Sequence, residues 1–389
     1  MPPEDSRPLE RSRPPFRAEH VGSLLRPPQL LAAREGRAEG QLSAAELAGI
    51  EDDAIRDIVR RQEETGLEAV TDGEFRRAAW QTDFLNQFTN VVVSRSTVHV
   101  SFHTEQGDID RRPSAPKVTG KLARPRPIFV EHFRFLRSVA RAVPKLTIPS
   151  PSLLHFRGGR QAVDESAYPD IEEFYSDVAR VYAEEIADLA AAGCRYLQID
   201  EVNFAYLCDS RLREEVRRFG EDPDRLPLTY ARLINRTIEA RPRDMTVGMH
   251  LCRGNFESAW LAEGGYEPVA EVLFNAVDVD AYFLEYDTDR AGDFRPLRFV
   301  PKGKTVVLGL VTTKRGALES ADDLKRRIDE ASRYLPLEQL ALSPQCGFAS
   351  AGRGNHLTLE EQMAKLRLIV EVARQVWGPE APGRGVSAR

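Results

Sequence analysis

Along most of this chain, short apolar runs alternate with longer stretches in which apolar residues return every three or four positions. The short runs suit buried strands, and the longer stretches suit amphipathic helices. Eight strand candidates can be counted, at 16–23, 68–71, 145–148, 196–199, 245–249, 281–284, 305–310 and 340–343. Most stop at polar or turn residues. Asp72-Gly73-Glu74 follows the second, Pro149 the third and Asp200-Glu201 the fourth. His250-Leu251-Cys252 follows the fifth, Glu285 the sixth and Pro344-Gln345-Cys346-Gly347 the eighth.

Helices fall between the strands, several with legible starts. Ser43 with Glu46 forms a capping box, in which the hydroxyl takes an orphan amide and the carboxylate reaches back. It opens a helix carrying Leu47, Ile50, Ile55, Ile58 and Val59 at helical spacing, closed near Gly66. Residues 170–173, 320–323 and 358–361 are similar starts. One region, 91–122, is rich in β-formers without helical spacing and reads as a β-hairpin inserted after the second strand. Eight strand–helix units with no G-x-G-x-x-G after the first strand predict an α/β fold of the (β/α)8 TIM barrel type with that insertion. Residues 16–378 form one catalytic barrel on this reading, between a disordered leader at 1–15 and a flexible tail at 379–389.

Composition narrows the function. The 389 residues carry a formal charge of -6, so no basic field favours nucleic acid or an anionic membrane. No apolar run approaches the roughly 20 residues that span a bilayer. The first residues lack the apolar stretch of a signal peptide, which makes a cytoplasmic protein the expectation. The four cysteines are too few and scattered for a disulfide framework.

In a barrel, chemistry sits at the carboxyl ends of the strands. His250, Cys252, Glu285 and Cys346 occupy three such ends. His-x-Cys places both side chains on one side of an extended chain. Thiolates, an imidazole and a carboxylate suit a borderline-soft tetrahedral ion, and zinc fits best. Zinc would hold an incoming thiol as thiolate near neutral pH. Cys194 and Cys208 read as structural, and Phe75 and Trp80 as packing. Arg157 and Arg160, and Lys314 beside Arg315, are basic groups near the mouth suited to an acidic substrate.

Together, His250-Leu251-Cys252, Glu285 and Pro344-Gln345-Cys346-Gly347 resemble the zinc site of cobalamin-independent methionine synthase, and the resemblance spans about 16–376. Val21-Gly22-Ser23, Asp72-Gly73-Glu74 and Gln198-Ile199-Asp200-Glu201 resemble further motifs of that family. The resemblance implies that the Ser23 backbone contacts the amino acid, while Glu74 and Asp200 hold its ammonium. It also implies the single-barrel form of the enzyme. Val202 stands where the family has proline. The seventh strand leads into Leu310-Val311-Thr312-Thr313-Lys314 without the family's histidine. No tryptophan follows the third strand, where His155 or Phe156 could stand in. The expected partners are therefore a homocysteine-like thiol and a methyl or alkyl donor, with the donor open among methyltetrahydrofolate, a methylated corrinoid protein and another carrier. Three other readings stay open. One is a zinc-dependent thiol alkyltransferase of the epoxyalkane–coenzyme M type, which would take an anionic thiol. Another is a barrel whose zinc is purely structural, and a more distant one is a metal-free, decarboxylase-like barrel.

Overall fold

A computed structural model describes residues 13–95, 100–104, 107–111, 114–352 and 354–378. The expected tail, and the expected leader apart from 13–15, lie outside these residues. In chain order the strands are β1 (Ala69–Val70), β2 (Val91–Arg95), β3 (Val100–Thr104), β4 (Gly107–Arg111), β5 (Ser114–Val118) and β6 (Val143–Pro149). They continue with β7 (Tyr196–Glu201), β8 (Thr246–Leu251), β9 (Asn255–Phe256) and β10 (Ala259–Trp260). The last three are β11 (Ala281–Glu285), β12 (Thr305–Val311) and β13 (Leu340–Pro344). Seven of them make one parallel sheet in the order β1-β6-β7-β8-β11-β12-β13. The sheet curls, and the fold is α/β, consistent with a TIM-type barrel.

The expected first strand at 16–23 is corrected. That segment makes only a single parallel bridge, Ala18 to Leu342 on β13. The physical reason is competition for its carbonyls. Lys145 Nζ donates to the carbonyl of His20. Gln198 Nε2 donates to Val21 O at 2.6 Å, and Thr71 Oγ1 donates to Gly22 O at 2.6 Å. These buried side chains hold the backbone in place of a strand ladder. The segment still spans the gap, because Leu24 N donates to Gly73 O and Glu19 N to Leu342 O.

The outer helices begin as the caps predict. Ser43 and Glu46 close a reciprocal capping box on the helix Ala44–Thr65, and Thr358 with Glu361 does so on Leu359–Trp377. Asp170 and Ser320 cap Ile171–Ala191 and Ala321–Ser332. Their apolar faces, among them Ile55, Ile58, Phe174, Val178, Leu366 and Ile369, bury against the outside of the sheet in one large core. A second, smaller core lies on the sheet's other face, made by Phe16, Ala69, Tyr196, Ala281, Phe283, Val307 and Ala341. Strand residues i and i+2 share a face. From this inner floor the same face therefore runs upward through Gln198 to Asp200, and from Phe283 to Glu285. No helix among the described residues is long and apolar enough to cross a membrane.

Between β1 and β6 the chain pairs β2 with β5 and β3 with β4, both antiparallel. β3 also pairs with β10, giving a separate four-stranded sheet in the order β4-β3-β10-β9. The strand β3 is thus tied to a short hairpin that follows β8, just beyond Cys252.

Candidate active site

The fifth strand runs two residues further than its apolar pattern, so His250 lies inside β8 and Cys252 just past its end. Parallel register sets Asp200 on β7 opposite His250. Glu285 is the last residue of β11, and Cys346 follows β13 by two residues. One donor atom from each of His250, Cys252, Glu285 and Cys346 lies within 4.8 Å of the others. Cys252 Sγ and Cys346 Sγ are 3.4 Å apart, and both thiols are free. Neither ring nitrogen of His250 finds a hydrogen-bond partner among the described residues, although the side chain is buried. A buried imidazole without a partner is costly unless something else completes it. Two thiols, an imidazole and a carboxylate at this spacing are the donor set of a tetrahedral zinc site. The residues present fit the ion.

Three of the four line a cavity of about 550 Å³, which also touches Val21, Ser23, Glu74, Arg157, Asp200 and Tyr206. Glu74 adopts a left-handed φ of 61° directly after Gly73 at 66°. That conformation costs a bulky residue about 1–3 kcal/mol. It is held by Glu74 N donating to Asp72 Oδ1 at 2.9 Å and by Arg26 donating to Glu74 O at 3.0 Å. The strained turn aims the side chain inward. Oε1 accepts from Thr147 Oγ1 at 2.8 Å, with Arg77 3.6 Å away, whereas Oε2 has no partner among the described residues. Asp200 Oδ1 accepts from Gln198 Nε2 at 2.7 Å. Burial first, then the negative charge of Glu74, pushes the Asp200 carboxyl up to about 7. Two carboxylates that repel each other in a buried cavity are each easier to ionise when a cation lies between them. Ser23 also lines the cavity. A Cβ on Gly347 would come within 2.0 Å of Ser23 Oγ, so only glycine lets the Cys346 loop pass so close.

The family model for the catalytic domain of cobalamin-independent synthase matches residues 16–375. This chain belongs to the cobalamin-independent methionine synthase family. The uncharacterized protein YxjG of Bacillus subtilis (strain 168) is 46% identical over 378 residues, covering 96% of this chain and 98% of its own. The crystal structure of a putative vitamin-B12 independent methionine synthase from Listeria monocytogenes is 38% identical. It superposes with a TM-score of 0.73 over 94% of this chain and 99% of that one. A B12-independent methionine synthase from Shewanella sp. W3-18-1, solved with selenomethionine, shares the fold at 21% identity. Its TM-score is 0.66 over 92% of this chain and 97% of its own.

Within this family member, several residues sit elsewhere than their sequence position implies. Lys314 does not line the cavity. Its Nζ donates to Asn255 Oδ1 and Ala259 O, both at 3.1 Å, and burial pulls its ammonium below the usual lysine range. It steadies the hairpin β9–β10 from behind, because Ala259 offers it a carbonyl that water cannot reach. Arg160 is likewise spent on Tyr168 O at 2.5 Å. His155 is buried against Tyr230 and Glu221 rather than the cavity, and Phe156 packs beside Tyr206 and Tyr230. The rings at the cavity are Trp80, Phe102, Tyr206 and Phe256. Trp80 packs against the core as expected and also lines the cavity, whereas Phe75 lies wholly within the core. Phe102 and Arg111 reach it from β3 and β4, both within the stretch 91–122 that reads as β-rich in the sequence. Cys194 and Cys208 are buried apart from the cluster, their thiols pushed up to about 12 by burial.

Proposed function

We propose that the protein is a zinc-dependent S-methyltransferase that moves a methyl group to the sulfur of homocysteine. The observation that carries this reading is the meeting of two sites in one cavity. His250, Cys252 and Cys346 line it beside Glu74 and Asp200, two carboxylates with capacity left for an ammonium. Zinc held by His250, Cys252, Glu285 and Cys346 would supply a Lewis acid that keeps the substrate thiol ionised near neutral pH.

The chain's own residues do the rest. Glu74 Oε2 and the Asp200 carboxylate grip the substrate ammonium through charge-assisted hydrogen bonds. Thr147 and Arg77 fix Glu74, and Gln198 fixes Asp200, so the grip is set before substrate arrives. The Ser23 backbone faces the substrate's amino-acid end. The rings of Trp80, Phe102 and Phe256 offer an apolar wall to the donor and exclude water from the sulfur. On this reading the curled sheet is the wall of a single (β/α)8 barrel over 16–378, the inserted strands cover its mouth, and the enzyme works in the cytoplasm on small molecules. Methylated folate is the donor that the family favours.

Arg157 at the cavity supports a second reading, in which the acceptor is an anionic thiol such as mercaptoethanesulfonate. Zinc-edge X-ray absorption on the loaded protein separates the two. A rise from two sulfur ligands to three on adding homocysteine supports the homocysteine reading. A rise only with the sulfonate would replace it, and an unchanged shell with both would leave a closed, structural zinc.

A further inference from the structure

Of the four donor residues, Glu285 alone does not line the cavity. It approaches the cluster from behind, and what stands behind it is cationic. Its Oε1 accepts from the Arg253 amide at 2.8 Å, and its Oε2 lies 3.4 Å from the Arg290 guanidinium. Charge-assisted pairs close to about 2.7–2.9 Å, so the contact with Arg290 is aligned but not closed. Arg290 itself is firmly held. It donates to Asp287 Oδ1 and to Thr288 Oγ1, each at 2.6 Å, and its guanidinium lies 5.3 Å from the Trp260 ring centroid. The Lys314 charge also bears on Glu285.

A buried carboxylate that gives up one partner needs another, because an unpaired buried charge is expensive. We propose that Arg290 is a positioning residue for Glu285. It receives the carboxylate when the substrate sulfur takes its place among the four donor atoms. The inference rests on the thiol-binding zinc reading and adds the residue that makes exchange cheap. The same cations also touch the cavity wall. Arg290 stacks on Trp260 of β10, and Lys314 holds Asn255 and Ala259 of the same hairpin. Asn255 and Phe256 line the cavity where the donor would enter.

The test is Arg290→Gln in the full chain, read by zinc affinity against a chromophoric chelator and by homocysteine affinity of the zinc-loaded protein. If Arg290 only oriented Glu285 as a ligand, its loss would weaken zinc by about 10–100-fold and leave thiol affinity alone. The proposal expects the reverse. Zinc affinity holds within about threefold or rises, and homocysteine affinity falls by about tenfold or more, the size of a lost charge-assisted bond. Arg290→Lys restores the charge and should regain most of that affinity. A lysine variant as weak as the glutamine one would overturn the role of charge. Weaker zinc binding, with or without weaker thiol binding, would overturn the proposal, and so would no change in either. Failure of the parent reading shows separately, as wild-type protein that gains no sulfur ligand with homocysteine.

Discussion

Two buried polar clusters sit on the same inner face of the sheet, one at its floor and one at its carboxyl end. At the floor, Lys145 pairs with Glu19 at 3.1 Å, both side chains fully buried. Tyr196 donates its hydroxyl to Glu19 Oε1 at 2.8 Å, and Phe16 N donates to the same oxygen at 3.0 Å. The ammonium also binds the His20 carbonyl and faces the rings of Tyr196 and Phe283 at 5.2 and 4.9 Å. At the carboxyl end, His250 Nδ1 and Nε2, Glu74 Oε2 and Gln198 Oε1 have no partner among the described residues. Burial is equal, but satisfaction is not. The Lys145 ammonium, the Glu19 carboxylate and the Tyr196 hydroxyl find their partners within the chain, although the buried His20 ring beside them does not, whereas the upper cluster leaves polar atoms of three cavity-side residues without partners among the described residues.

The sharpest way to break that comparison is at Cys346. Cys346→Ser should weaken zinc binding well beyond the roughly 10–100-fold that follows loss of a ligand's own hydrogen-bond partner. Methyl transfer should disappear with it. The metal-free variant should unfold at the same denaturant concentration as metal-free wild type, because the thiol supports no essential contact. Metal analysis beside equilibrium unfolding reads both quantities, and an active serine variant would remove zinc from the account. Next in size is the floor. Lys145→Met leaves Glu19 charged and buried, and should cost about 3–5 kcal/mol in denaturant unfolding. Changing Glu19 to leucine as well should return much of that loss.

The contrast also marks what could be read from the chain alone. Strands β6, β7, β8, β11, β12 and β13 announce themselves as apolar runs, and the four donor residues could be named because each sits at or just past the end of such a run. The segment 16–23 has a strand's composition, but its carbonyls are taken by Lys145, Gln198 and Thr71, and no periodicity reveals that competition. Lys314 looked like a mouth residue for a related reason. A charge near a strand end carries no sign of the internal carbonyl that will hold it. The two-residue strands β9 and β10 are too short to leave a pattern, so the pairing of β3 with β10 beside the cavity has no mark in the sequence. Pairing across 150 residues or more of chain is tertiary information.

A third prediction separates the clusters by the sign of their effect on stability. The Asp200 carboxyl is raised from 3.8 to about 7 in the fold. Such a group costs no stability at low pH, where both states hold the proton. The cost grows as pH rises through the unfolded value near 4 and levels off above about 7. Asp200→Asn should therefore be more stable than wild type at pH 8, opposite to Lys145→Met, and should match wild type below pH 4. Binding runs the other way. An ammonium needs the ionised carboxylate, so methionine, which has the ammonium but no thiol to titrate, should bind wild type about tenfold more weakly per pH unit below 7. The asparagine variant should lose that slope and bind about 10–100-fold more weakly at pH 8. Calorimetry across pH 5–8 reads it, and a flat wild-type profile would remove Asp200 from the ammonium site.

The smallest effect tests whether the two clusters are independent. Tyr196 and Asp200 lie four residues apart on β7, a separation of about 13 Å along a strand. Tyr196→Phe removes one hydroxyl from Glu19, which keeps Lys145 and the Phe16 amide. A hydrogen bond to a charged group contributes about 1.5–3 kcal/mol, and the remaining partners should hold the loss near the lower end. Methionine affinity should not change, because the phenol does not reach the cavity. Sites more than about 7–10 Å apart without shared partners usually add within about 0.5 kcal/mol. The Tyr196→Phe, Asp200→Asn double variant should then show the sum of the two single effects on unfolding. A larger coupling would mean that β7 transmits strain from floor to site, and that the fold's polar cluster also helps set the geometry of the amino-acid grip.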